Sequence, residues 1–107
     1  MKPVTVAATL AMLCTLPTLP AVAQNPQDMD ACMNGAGKIP NAQIVGACTR
    51  LIEAAAVENE VTGYFYAMRA SANSDRQQNC ADSRKVVELM TDAKLRGLGE
   101  QMVQNNC

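Results

Sequence analysis

The residues best placed to do chemistry in this 107-residue chain are its cysteines, at 14, 32, 48, 80 and 107, in a sequence with no histidine. Without imidazole, Ser-His and Cys-His nucleophiles and histidine-held metals are all excluded. The cysteines do not read as a zinc site either, because no Cys-x-x-Cys occurs and the last four are 16, 32 and 27 residues apart. The same absence argues against a dithiol redox enzyme. No Gly-x-Gly-x-x-Gly, phosphate loop or calcium loop is present, so neither metal nor cofactor is expected. Asp28 with Asp30, or Glu58 with Glu60, could in principle serve as acid and base, but each pair sits in a polar stretch with nothing to shift its pKa. They read as solvated charge. A hydrolase here would have to rely on Ser, Thr, Lys or Asp, with Asp82, Lys85 and Glu88 as the residues to change, and an enzyme is not expected.

A second group suits recognition rather than catalysis. Tyr64, Tyr66 and Arg69 share one helical segment and are residue types enriched at protein interfaces. The two tyrosines are out of phase on a helix, so at least one ring should leave the core. Two readings follow. In one, Tyr64 fills the core and Arg69 pairs at the surface with an acid such as Glu53; in the other, all three form a contact surface for a protein partner. Five methionines beyond residue 23 read as core filler.

The elements that must position these residues begin after a secretory signal. Residues 1–23 have a basic start at Lys2, an apolar stretch from Val4 to Leu19 and the small-x-small end Ala21-Val22-Ala23, so cleavage should leave Gln24 first. The stretch is short for a membrane span of about 20 residues, and Pro17 and Pro20 interrupt it, so no stable anchor is expected. Cys14 leaves with the signal. The remaining chain has eight basic and ten acidic residues, a balance that gives no reason to expect nucleic acid or anionic lipid as partner. Its length allows one domain with a thin core, which cross-links would reinforce.

Residues 24–40, with Pro26, Gly35, Gly37 and Pro40, read as an irregular leader with at most a short helical turn near Asp30 to Asn34. Beyond it, apolar residues recur at three- and four-residue steps, and the 41–107 region should be all-α. Helices are expected over about 42–56 with Asn41 as cap, 60–72 with Asn59 as cap, and 76–90 after Ser74 or Asp75, with a weaker fourth in 91–107 that Gly97 and Gly99 oppose. Asp82, Arg84, Lys85 and Glu88 should face solvent, with Arg84 and Glu88 able to pair. Short connections imply an antiparallel bundle of three to four helices.

Four cysteines in an exported chain imply two disulfides and a periplasmic or secreted location. Cys32 with Cys48 would pin the leader, and Cys80 with Cys107 would pin the last helix; Cys48 with Cys80 is the rival. On this reading, reduction should release leader and last helix first.

Val45-Gly46-Ala47-Cys48-Thr49-Arg50-Leu51-Ile52 resembles the A-I-x-x-C-T-x-x-I stretch of secreted tetratricopeptide-repeat proteins of Gram-negative bacteria. Tyr64 to Ala70 is similar to the first-helix Y-x-x-R-G region of such a repeat, and Asp82 to Leu89 resembles its second helix, D-x-x-x-A-I-x-L. The resemblance spans 41–89 and implies tetratricopeptide-like hairpins, one and a half repeats at most. Three roles then stand as expectations: a non-enzymatic module binding a protein or peptide, an inhibitor or immunity protein that blocks a cell-wall-degrading effector, and, least supported, a histidine-independent hydrolase.

Overall fold

The computed structural model describes residues 25–107, so the expected signal segment 1–23 lies outside the described residues. Five helices follow one another: α1 (Pro26–Asn34), α2 (Asn41–Ala54), α3 (Glu60–Ala72), α4 (Arg76–Leu89) and α5 (Ala93–Asn106). No strand occurs among the described residues. The all-α expectation holds, with five helices where three or four were expected.

The extra helix is in the supposed irregular leader. Asn25 caps α1, its side chain accepting from the amides of Gln27 and Asp28 at 2.8 and 3.3 Å. Pro26 stands in the first turn, where a missing N–H costs nothing. A proline read as a breaker is thus a starter. The chain then reverses at Gly35 to Lys38, with Gly37 at φ 80°, a conformation that favours glycine. Pro40, not Asn41, occupies the cap position of α2 and makes no side-chain cap. Asn59 caps α3 in a capping box with Thr62, and Asp75 caps α4 by accepting from Gln77 and Gln78.

Each helix packs on the next, antiparallel. The core is in two clusters. Cys32, Ile44, Ala47, Cys48, Leu51 and Phe65 gather α1, α2 and α3, with Met29, Ile39 and Met68 against them. Tyr66, Val86 and Met90 join α3 to α4, with Leu95 and Met102 of α5 closing over them. Full burial of a ring such as Phe65 is worth about 1.5–3 kcal/mol, so a core this small benefits from covalent help. Disulfides join Cys32 to Cys48 and Cys80 to Cys107, each with Cα atoms 4.9 Å apart.

Gly99 explains how α5 sits despite its two glycines. A Cβ there would fall 2.8 Å from Val86 Cγ1 and 3.2 Å from the Val87 amide nitrogen, so only glycine lets the α4 and α5 backbones approach this closely.

Candidate functional site

The most buried charges in the described chain belong to residues that the sequence pattern placed at the surface. Asp82 is 2% exposed and Arg69 is 9% exposed. Arg69 Nε donates to Asp82 Oδ2 and a terminal nitrogen donates to Asp82 Oδ1, both at 2.8 Å. Its other terminal nitrogen donates to Thr49 Oγ1 at 3.0 Å. One planar guanidinium therefore ties α2, α3 and α4 together. This two-point geometry is the kind that compensates for removing a charge pair from water. The Asp82 hydrogen bonds raise the Arg69 pKa further above its ordinary range. The expected surface pair of Arg69 with Glu53 is replaced by this internal one.

Tyr66 stands beside the pair, 8% exposed, with the Arg69 guanidinium carbon 5.6 Å and Lys85 Nζ 6.0 Å from its ring centre. Its ring, not that of Tyr64, fills the core. Tyr64 is half-buried at the rim of the second cluster. Tyr66 Oη donates to Glu58 Oε2 and Lys85 Nζ donates to Glu58 Oε1, each at 2.7 Å. Glu58 comes from the α2–α3 connection, so these bonds fasten that turn to α3 and α4. Lys85 also lies 3.6 Å from Glu88, the partner that Arg84 was expected to be.

The hydrogen bond from Lys85, and then that from Tyr66, hold the Glu58 carboxyl below its ordinary value of 4.5. Burial, and then the Glu58 hydrogen bond, push the Tyr66 phenol up to about 12. A depressed carboxylate stabilises the fold above its unfolded pKa and loses that contribution as pH falls through its folded pKa. A raised phenol contributes below 10.0 and loses that contribution as pH rises toward about 12. Glu58→Gln should therefore flatten the acid limb of a plot of thermal midpoint against pH below about 4.5 and also blunt the alkaline limb. Circular dichroism melts from pH 3 to 11 provide the check, and superimposable profiles would show that the turn is not held this way.

On its other side the same turn is apolar. Ala55, Ala56, Val57, Val61, Thr62 and Phe65 contribute to a cleft of about 240 Å³. Val57 is 67% exposed and Val61 46%, two of the most exposed large apolar residues among those described. Thr62 Oγ1 donates to the Val57 carbonyl at 3.4 Å, and Asn59 closes the capping box beneath. Adjacent residues thus go opposite ways: Glu58 toward α4 and Val57 outward. Sequence reading missed this patch, because Val57 lay in what was simply a short connection. The one available signal was a β-branched pair at 57 and 61 flanking the cap at Asn59.

The other acids of the two imagined acid/base pairs are engaged as well, Asp30 accepting from Asn34 at 3.1 Å. Asp28 accepts from Arg50 through both oxygens, at 2.9 and 3.0 Å, and Glu60 Oε2 accepts from Thr91 Oγ1 at 2.9 Å. Neither imagined acid/base pair is presented as a unit. Among the described residues, no group of three or more Cys, Asp or Glu is placed to hold a metal ion. No protein-family model matches the chain, and no curated protein or solved structure is found to match it.

Proposed function

We propose that the protein is an exported, non-enzymatic module that binds a protein or peptide through the α2–α3 turn, with a tetratricopeptide-like ancestry for its helical hairpins. The observation that carries the reading is the exposure of Val57 and Val61 beside the cleft over Phe65, on a turn whose backbone is fixed from below. Apolar side chains held rigidly in solvent are what a recognition surface needs, since little entropy remains to be lost on binding. Tyr66 and Arg69 serve this surface from behind, as positioning residues. Two disulfides in a small chain support export into an oxidising compartment.

Capture under oxidising conditions from the periplasmic and secreted fractions of the source organism is the test. The native chain should recover a reproducible partner, and Val57→Asp with Val61→Asp should cut recovery by about tenfold or more with the helical spectrum unchanged. Equal recovery by the two proteins, or none by either, overturns the reading.

A further inference from the structure

We infer that the groove between α4 and α5 is a self-complementary surface on which a second copy of this chain docks. Its volume is about 480 Å³, and it is lined by Arg84, Val87, Glu100, Val103 and Gln104. The antiparallel register of the two helices is fixed at one end by the Cys80–Cys107 disulfide and the hydrogen bond from Asn106 Nδ2 to Ser83 Oγ at 3.3 Å. Toward the other end it is fixed by Gly99 seated against Val86 and Val87. In this register Arg84 of α4 stands opposite Val103 of α5, toward the disulfide end, and Val87 stands opposite Glu100, toward the Gly99 end, so the two charges lie diagonally across the groove with a half-buried valine beside each. Arg84 and Glu100 are both exposed, and neither forms an ion pair among the described residues.

A patch with a cation and an anion at opposite corners and a valine at each of the other two is its own complement under a two-fold axis that runs through the valines. Arg84 of each copy would meet Glu100 of the other, while the valines cover each other. With one charge of each sign on the patch, a second copy supplies both counter-charges at once. The groove is open to receive it, since Arg84, Glu100 and Gln104 are exposed and, among the described helices, α5 packs substantially on α4 alone. A patch this narrow falls below the standard interface size, so the dimer should be weak, with a dissociation constant on the order of 100 μM.

Sedimentation equilibrium of the oxidised protein at up to about 1 mM, at low salt, should show a monomer–dimer equilibrium that weakens as salt is added. Arg84→Glu alone and Glu100→Arg alone each create two like-charge contacts and should weaken the dimer about tenfold. The decisive arm mixes the two single variants, because both cross-pairs are again opposite in the mixed dimer, and association should return to near the native level. Monomer throughout for the native protein, a dimer indifferent to both reversals, or a mixture that fails to associate would each overturn the inference. Should a reversal unfold the chain, Arg84→Gln and Glu100→Gln test the same contacts, with about threefold weakening expected and none overturning it.

Discussion

Asp82→Ala should lower the free energy of unfolding by about 3–5 kcal/mol, because it leaves the Arg69 guanidinium buried without a counter-charge. Arg69 could not swing out to water without also giving up Thr49 and its place beside Tyr66. The reciprocal change, Arg69→Ala, should cost a similar amount by stranding Asp82, and Arg69→Lys most of it, since an ammonium cannot span both carboxylate oxygens and Thr49 at once. Replacing both partners with apolar residues of similar volume, Arg69→Met with Asp82→Leu, should recover most of the loss. Urea denaturation of the four variants measures this directly. A cost below about 1 kcal/mol for Asp82→Ala would mean that the pair behaves as a solvated surface bridge.

The second large effect concerns the two disulfides, which stand in different surroundings. Cys32 and Cys48 are 1% and 0% exposed, whereas Cys107 is exposed and Cys80 half-buried. A thiolate reductant must reach a sulfur to attack it, so Cys80–Cys107 should open first and Cys32–Cys48 only when the α1–α3 cluster opens. Opening the former removes a cross-link worth about 3–4 kcal/mol in the chain-entropy model, and α5, held besides by Leu95, Met102 and Gly99, should fray from its C-terminal end. The sequence-based expectation that leader and last helix would be released first is kept for the last helix and revised for the leader, which is the capped helix α1 with its cysteine in the core. Alkylation during graded reduction, read by mass spectrometry, should show a species labelled at 80 and 107 alone. Simultaneous labelling of all four cysteines would contradict this.

What could be read in advance was whatever local chemistry decides. Asn59 caps the helix it was expected to cap, Asp75 does so from the pair Ser74 and Asp75, and α3 spans the residues that its apolar periodicity marks, because each signal lies within a few residues of its effect. What escaped depended on partners far along the chain. Asp82 looks like solvated charge until Arg69 is placed beside it, 13 residues away, and Glu58 finds Lys85 across 27. With Asp82 inward, the polar side of α4 narrows and Ser83 is buried too. The assignment of the tyrosines failed for the same reason: the Tyr66 ring turns inward onto Val86 and Met90, which lie far along the chain, and its hydroxyl reaches Glu58 of another segment. The α1 helix was missed differently, by weighing Pro26 as a break without asking whether Asn25 before it made a start.

The order of the disulfides along the chain bears on how the protein is made. Cysteines 32, 48, 80 and 107 pair first with second and third with fourth. On the proposed export, with the signal and its Cys14 removed, a polypeptide that enters an oxidising space N-terminus first presents Cys32 and then Cys48 before Cys80 and Cys107, so the first of these pairs to meet is the native one. The second pair arrives after the first is closed, and each loop is completed by neighbouring helices rather than by distant ones. Assembly can then proceed in the order of arrival, with little call on an isomerase to undo wrong partners and nothing held open for Cys107 except α5 itself.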